Sequence, residues 1–343
     1  HQEEAEKALG DRIFEFSKYD LGVFGIQRKA SFVKLSELDY LRIHYLMDRS
    51  SFNAPSVETN PHSFLLNMAV ADAYLQAFEY LPLGIYPQNW TGVISRYLRH
   101  PSRKEPVAGE YTDDTQMTLG LMRALSFGEY DCGIFRELVK LCFQKTFREN
   151  PIKGYASFLQ ERLENSENPF DSLNPSDSNG AAMRSIPLGF LPLDKIEDLA
   201  TVQAAITHNT PSGILSSYAI GLMSYYFLNG GEISGLRAFV EENLGEPLSY
   251  GGGRIAKSNG PLGMLTVSAA LYLLEKDLSL MQILEEVIKI GGDTDTLGAL
   301  VVGIRSLRSC DPFPDWMYEN LSYSGAAEDL DGEAEQWVQT MKR

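Results

Sequence analysis

The feature that most constrains the fold is a pair of short acidic stretches, each lying directly before an apolar helical pattern. The first is Tyr-Thr-Asp-Asp-Thr at residues 111–115, and the second is Gly-Gly-Asp-Thr-Asp-Thr at residues 291–296. After the second stretch, apolar residues recur at helical spacing at Leu297, Leu300, Val301, Ile304 and Leu307. The two patterns predict core-facing helices whose N-termini carry the acidic residues.

These stretches combine the oxygen ligands that hard divalent cations prefer. Each places two carboxylates and two threonine hydroxyls at a helix start, where the helix dipole keeps aspartate ionised. Either stretch alone also fits a plain helix cap, because Thr and Asp are ordinary N-cap residues. A cap uses only one side chain, however, and crowded aspartates repel one another unless a cation or protons intervene. Together the stretches indicate a site for two cations.

Strand patterns are scarce, and helical patterns recur along the chain. We therefore predict an all-α bundle in one domain. Further helices are predicted at residues 64–81, 134–148, 155–164, 202–207, 212–228, 233–243, 263–274 and 278–290. A polar loop ends at Asn179-Gly180, where small residues would let backbone N–H groups approach a phosphate. By itself that step fits a simple turn equally well.

Three further blocks accompany the acidic stretches in a fixed order over residues 62–320. They are Asn179-Gly180-Ala181-Ala182-Met183-Arg184 followed by Pro187-Leu188-Gly189, then Thr207-His208 with Pro211, and finally Pro314-Asp315-Trp316. In this order the chain resembles the ADP-ribosylglycohydrolase family, whose founding members remove ADP-ribose from arginine in nitrogenase reductase and other proteins. Ser178 departs from the resemblance, because the family commonly has glycine there.

The resemblance implies a helical fold, a reaction and a set of site residues. Two divalent cations, Mg²⁺ or Mn²⁺, would be held by Thr112, Asp113 and Asp114 and by Asp293, Asp295 and Thr296. ADP-ribose would lie against Asn179, Gly180, Ala181, Met183, Arg184 and His208. Asp113 would be the catalytic base, and Glu79 would gate or assist. The leaving group is expected to be arginine, although the sequence leaves serine and other acceptors open.

Asp72 and Glu79 stand seven residues apart, which places them on one face of the predicted helix 64–81. They occupy the places where the family usually has a Gly-Asp-Ala sequence and a following glutamate. The alternative is that both are solvated charges on a helix face.

Residues 1–60 lie outside the resemblance and are predicted to be an N-terminal extension of the domain at residues 61–343. The extension would either pack on its own domain or serve as a partner-binding arm. Its contact residues in the second case are Leu21, Val23, Phe24 and Ile26. Some bacterial members of the family pair such an arm, which blocks an ADP-ribosyltransferase toxin, with a working hydrolase. This immunity function is the alternative hypothesis.

Composition limits the partners that the protein can have. The formal net charge of −16 argues against binding nucleic acid or an anionic membrane through bulk electrostatics. Three cysteines without metal or redox spacing, and no signal-peptide pattern at residues 1–4, favour a reducing cytoplasm. A basic cluster at Arg96, Arg99, Arg103 and Lys104 fits a solvated face better than an anion site. A purely structural role and a two-metal phosphohydrolase remain less favoured functions.

Overall fold

The framework of the protein is a set of α-helices joined by loops and short 3-10 turns. The computed structural model describes residues 64–82, 84–171, 175–308, 312–321 and 326–341. Twelve helices lie in these ranges: α1 Phe64–Leu75, α2 Asp113–Leu125, α3 Cys132–Glu149, α4 Ser157–Asn165, α5 Leu193–Ala205, α6 Pro211–Leu228, α7 Leu236–Leu244, α8 Leu262–Leu274, α9 Leu280–Ile290, α10 Thr294–Arg305, α11 Asp315–Glu319 and α12 Ala326–Met341. The all-α prediction is confirmed, and both acidic stretches do begin buried helices.

The predicted N-terminal extension precedes the residues that the structure describes. Residues 1–60, including Leu21, Val23, Phe24 and Ile26, lie outside the described residues. The partner-binding arm and the boundary near residue 61 therefore stay predictions.

Helices α1 and α10 form the centre of the bundle, and nearly every residue of both is buried. Glycines on α10 permit the close contact between them, because a Cβ atom on Gly298 would lie 1.9 Å from Leu75 Cδ1. A Cβ on Gly303 would lie 3.5 Å from Met68 Cβ on α1 and 2.6 Å from Ile186 Cδ1 in the 3-10 turn Ile186–Phe190. The Thr294 hydroxyl donates to the carbonyl oxygen of Leu75 at 2.8 Å. The start of α10 is thereby fixed against the end of α1.

Helix α12, which the sequence patterns did not predict, closes the bundle over the start of α1. The Trp337 ring packs edge-on against Phe190 with centroids 4.5 Å apart, and it lies 6.1 Å from Phe64. Glu333 accepts two hydrogen bonds from the Arg123 guanidinium on α2. This two-point ion pair fixes the orientation of α12, which the apolar contacts alone do not specify.

The first helix ends earlier than predicted. It stops at Leu75, and a 3-10 turn over Gln76–Phe78 leads to Tyr80, which has a positive φ of 51°. Tertiary contacts end the helix at this point. The Thr294 hydroxyl donates to the Leu75 carbonyl oxygen, and the Tyr80 amide donates to the Gly292 carbonyl oxygen at 2.7 Å. The second acidic stretch thus takes up backbone groups that a longer helix would need. Glu79 leaves the helix as a result.

Candidate active site

Asp72 lies in the last turn of α1 and organises the start of α2. Its carboxylate is fully buried and accepts hydrogen bonds from the Thr112 hydroxyl at 2.8 Å and the Thr115 hydroxyl at 2.7 Å. It also accepts from the backbone amides of both threonines at 2.9 and 3.2 Å. Burial raises the pKa of Asp72 to about 6, against the opposing effect of these hydrogen bonds. The idea that Asp72 is a solvated helix-face charge is wrong.

The Thr112 hydroxyl therefore bonds to a carboxylate of the site and does not cap α2. Although Thr112 stands at the N-cap of α2, its hydroxyl donates to Asp72 at 2.8 Å and lies 3.2 Å from Asp114 Oδ2. Asp72 contacts the first amides of α2 from outside the helix, which is the function a local cap would have. A plain helix cap does not account for the first acidic stretch.

Asp113 and Asp114 occupy the first turn of α2 and face the same cluster of charges. Asp113 is half-buried, and burial together with the charges of Asp72 and Glu79 raises its pKa to about 7. Asp114 is buried, and its pKa is raised well above the usual value by burial first and then by Asp72, Asp113 and Asp293. Among the described residues, nothing donates to Asp114 Oδ1, which leaves that oxygen available to a ligand.

The second acidic stretch is held by a short backbone pairing. The Asp293 amide donates to the Ile255 carbonyl at 2.8 Å, and the Ile255 amide donates to Gly291 at 3.0 Å. Gly292 has a φ of 89°, and a Cβ there would lie 2.2 Å from the Ile255 oxygen, so only glycine fits. The Asp293 side chain accepts from the Tyr80 hydroxyl at 2.8 Å instead of capping α10.

The carboxylates of the two stretches meet in two overlapping sets. Oxygens of Asp72, Asp114 and Asp295 lie within 4.8 Å of one another, and so do oxygens of Glu79, Asp293 and Asp295. The motifs predict one group of ligands each, whereas each observed set contains residues of more than one segment, and Asp295 belongs to both sets. Burial, followed by the charges of Glu79 and Asp293, raises the pKa of Asp295 well above its usual value.

This donor set fits divalent cations. Its members are carboxylate and hydroxyl oxygens, which suit Mg²⁺ and Mn²⁺, and one buried carboxylate oxygen lacks a hydrogen bond. Burial first, and then the charges of neighbouring carboxylates, raise the pKa values of Asp114 and Asp295, and a bound cation would offset both effects. Thr296 lies beside Asp114, whose pKa its hydroxyl lowers. Asp113 belongs to neither oxygen set, although it lines the same cavity.

Glu79 joins the cluster from the turn that follows α1. Its carboxylate forms an ion pair with Arg103, and its carbonyl oxygen accepts from His100 Nε2 at 2.9 Å. Burial and the charge of Asp293 raise the pKa of Glu79, while Arg103 lowers it. Arg103 therefore belongs to the site, which corrects the interpretation of the basic cluster as a solvated face only.

A cavity of about 560 Å³ lies beside the carboxylates of both stretches. The predicted site residues that line it are Glu79, Thr112, Asp113, Asp114, Asn179, Gly180, Met183, Arg184, His208, Asp293, Asp295 and Thr296. Ala181 is instead fully buried, and its carbonyl accepts from Ser185 at 2.7 Å and Gln203 at 3.0 Å. Its contribution is to hold the loop in place.

Arg184 is a buried cation. Burial has the larger effect on its pKa, against which the charge of Asp113 raises it. Its guanidinium donates to Gln203 Oε1 at 2.6 Å, to the Gln203 carbonyl at 3.0 Å and to the Thr207 hydroxyl at 2.8 Å. In the described part of the chain no acidic side chain hydrogen-bonds to it, and burial lowers its pKa to about 9. The guanidinium still carries its charge at neutral pH. The lining of the cavity thus includes both negative carboxylates and a buried positive charge.

Three residues of the site were missed or only partly recognised from the sequence. Asp72 is a polar residue within the apolar run 64–75, and that interruption was its available signal. Arg103 was recognised only as a member of the basic cluster, and Tyr80 gave no local signal, because their contacts to Glu79 and Asp293 depend on how the loops fold back.

Comparisons with known proteins agree with this architecture. The sequence model of the family described as ADP-ribosylglycohydrolase matches residues 62–341. The ADP-ribosyl-[dinitrogen reductase] glycohydrolase of Rhodospirillum rubrum is 24% identical over 259 residues, which cover 72% of this chain and 84% of that enzyme. A solved structure of an ADP-ribosylglycohydrolase-related protein complex is 23% identical, covers 82% of this chain and 98% of its own, and superposes with a TM-score of 0.61.

The chain belongs to the ADP-ribosylglycohydrolase family. Membership supports hydrolysis of bonds to ADP-ribose as the activity. Across the described ranges, every helix is too short or too polar to cross a membrane.

Proposed function

We propose that the protein is a hydrolase, dependent on two divalent cations, that releases ADP-ribose from modified arginine side chains of proteins. The observation that carries the proposal is a cavity lined by both kinds of charge. Carboxylates of both acidic stretches meet beside it, and Arg184 with hydrogen-bond donors lines it as well. ADP-ribose has the matching polarity, because its ribose hydroxyls can bind cations and its diphosphate is anionic.

The preference for arginine rests on charge. Six carboxylates, Asp72, Glu79, Asp113, Asp114, Asp293 and Asp295, form the acidic cluster beside the cavity. Two divalent cations would offset four of their negative charges, and Arg103 offsets a fifth through Glu79. A guanidinium leaving group would offset the remaining charge, whereas a serine hydroxyl would not. The Arg103–Glu79 ion pair also supports the idea that a guanidinium fits beside Glu79.

The chain's own residues supply proton transfer and orientation. Cations bound here would provide Lewis acidity at the ribose end of the substrate. Asp113, with a pKa of about 7, would take the proton from the attacking water. Glu79 would lie near the departing group, and a guanidinium needs little acid assistance because it carries the charge itself.

Release of ADP-ribose from arginine-linked and serine-linked peptides, with Mg²⁺, with Mn²⁺ and with chelator, tests the proposal. We expect cation-dependent release from the arginine-linked peptide. Asp113→Ala should lower kcat by about a hundredfold or more, since that is the usual contribution of a general base. Asp315→Ala, which changes an exposed carboxylate at the start of α11, is the matched control. Full release by Asp113→Ala, or a preference for the serine-linked peptide, would contradict the proposal.

A second function is favoured by the apolar residues Leu21, Val23, Phe24 and Ile26, which precede the family match at residue 62. We propose that they contact an ADP-ribosyltransferase toxin in the cytoplasm and confer immunity beside the hydrolase activity. Deleting residues 1–50 should abolish toxin binding and leave release of ADP-ribose unchanged. Unchanged binding to the toxin after this deletion would refute the second function.

A further inference from the structure

Tyr80 joins the two segments that supply one of the oxygen sets, the set of Glu79, Asp293 and Asp295, which we call the Glu79 set. Tyr80 directly follows Glu79 in the chain. Its amide donates to the Gly292 carbonyl oxygen at 2.7 Å, and its hydroxyl donates to Asp293 Oδ2 at 2.8 Å. Both acceptors belong to the acidic stretch that also carries Asp295. One residue therefore connects the two parts of this set.

The peptide group between Glu79 and Tyr80 is held on both sides. Its carbonyl oxygen accepts from His100 Nε2 at 2.9 Å, and its N–H donates to Gly292. The direction of the first bond is fixed, because a carbonyl oxygen can only accept. Since a peptide group is planar, two bonds on its opposite sides fix its orientation. The backbone that carries the Glu79 side chain is thereby held against the second acidic stretch.

Tyr80 adopts a backbone conformation that side chains disfavour. Its φ is 51°, in the left-handed region, and Asn89 is the other described residue besides glycines with a positive φ. Such a conformation persists where surrounding contacts offset its cost. The bonds from the Tyr80 amide and hydroxyl to the second acidic stretch are contacts of this kind.

The hydroxyl of Tyr80 orients the carboxylate of Asp293. A phenol has a single proton, and donating it to Oδ2 restricts rotation of the carboxylate about its bond to the side chain. The tyrosine is 42% exposed and lines the cavity, so its ring contributes little to the core. Loss of the hydroxyl alone should therefore release the carboxylate without disturbing the packing of the bundle.

We propose that Tyr80 is a positioning residue for the Glu79 set, which aligns Glu79 and Asp293 so that one divalent cation can bind to both. The inference rests on the proposed function in one respect, the binding of two cations. In the described part of the chain, no hydrogen bond joins Tyr80 to Asp72 or Asp114 of the other oxygen set. The effect of Tyr80 is therefore confined to one of the two cations.

Titration of the chelator-treated, full-length protein with Mn²⁺, followed by electron paramagnetic resonance and calorimetry, tests the inference. Glu79→Gln and Asp114→Asn each change a residue of one set only, so they assign the measured affinities to the sets. Tyr80→Phe should weaken the cation of the Glu79 set by about tenfold or more and leave the other affinity unchanged. Tyr86→Phe is the matched control, since Tyr86 is an exposed tyrosine outside the cavity lining.

The concentration of Mn²⁺ needed for release of ADP-ribose gives a second measurement. Tyr80→Phe should need about tenfold more Mn²⁺ for half-maximal release, and saturating Mn²⁺ should restore kcat, because the cation itself then aligns its ligands. A kcat that stays low at saturating Mn²⁺ would make Tyr80 a participant in the reaction, which overturns the inference. Equal losses of affinity at both sets would overturn it too, since they would indicate a general effect on the fold.

The inference and the proposed function fail in different ways. If the wild type hydrolyses modified peptide but Tyr80→Phe binds both cations as tightly as the wild type does, the inference is overturned and the function stands. If Tyr80→Phe weakens only the Glu79 set while the wild type hydrolyses no modified peptide, the inference stands and the proposed function falls. A wild type that binds fewer than two cations would overturn both.

Discussion

At the scale of single residues, the site consists of carboxylates that the fold itself buries. Asp72 is stabilised by four hydrogen bonds from Thr112 and Thr115. Asp114 keeps one oxygen without a donor among the described residues, and Asp295 lies in both oxygen sets. Since the cost of burying these charges falls when a cation binds, the residue shared by both sets should matter most for cation affinity.

We predict that Asp295→Asn weakens Mg²⁺ or Mn²⁺ binding by about a hundredfold or more, because an amide supplies only a neutral oxygen to both oxygen sets. Asp113→Asn should weaken it less, since Asp113 belongs to neither set. Isothermal titration calorimetry on chelator-treated protein measures both affinities, with Asp315→Asn as the control on an exposed carboxylate. Equal losses in Asp295→Asn and Asp113→Asn would show that the oxygen sets are assigned wrongly.

At the scale of elements, the site exists because loops fold back onto helix ends. The pairing between Ile255 and Gly292 fixes the segment before α10, and Tyr80 contacts the same segment with its backbone and its hydroxyl. Gly292 meets two requirements at once, a positive φ and close contact with the Ile255 backbone. Either requirement alone disfavours a side chain at this position. Together they mean that a Cβ atom could not be accommodated by a small shift of the backbone.

We predict that Gly292→Ala destabilises the protein by more than about 2 kcal/mol and weakens cation binding, because its Cβ would overlap the Ile255 backbone. Gly252→Ala is a matched control, since Gly252 has a φ of 81° and open space around its Cβ position. That variant should lose only about 1 kcal/mol. Thermal unfolding and cation titration of both variants test the prediction, and similar losses in the two would attribute the effect to φ alone.

The elements also show what the sequence could and could not predict. Helices α2 and α10 were predictable because long apolar periodicity follows each acidic stretch. The end of α1 was not, because apolar residues continue to Leu81 while contacts from Thr294 and Gly292 stop the helix at Leu75. The sequence also could not predict which carboxylates of the different motifs come together, because that depends on the depth at which α10 packs on α1.

At the scale of the whole molecule, one cavity is lined by both kinds of charge. Carboxylates come from α1, α2, α10 and the turn after α1, while Arg184 and the hydrogen-bond donors come from the loops before α5 and α6. The net charge of −16 disfavours binding of anions at most of the surface. Cations held by the carboxylates would add to the charge of Arg184 in attracting an anionic ligand, which would link binding of that ligand to binding of metal.

The last prediction concerns stability as a function of pH. In chelator the folded-state pKa values of about 6 for Asp72 and about 7 for Asp113 exceed the ordinary value of 3.8. Between pH 4 and 7 the folded protein thus binds more protons than the unfolded chain, so its stability falls as pH rises through this window, by on the order of a few kcal/mol.

Thermal unfolding in chelator should give a lower Tm at pH 8 than at pH 5. Saturating Mg²⁺ should remove this decrease, because the cation replaces the protons and binds better as they leave. Asp113→Asn should show a smaller decrease in chelator than the wild type does, which separates the site from the general repulsion of an acidic protein. A Tm that rises with pH in chelator would mean that these carboxylates are stabilised by the fold itself and do not depend on a cation.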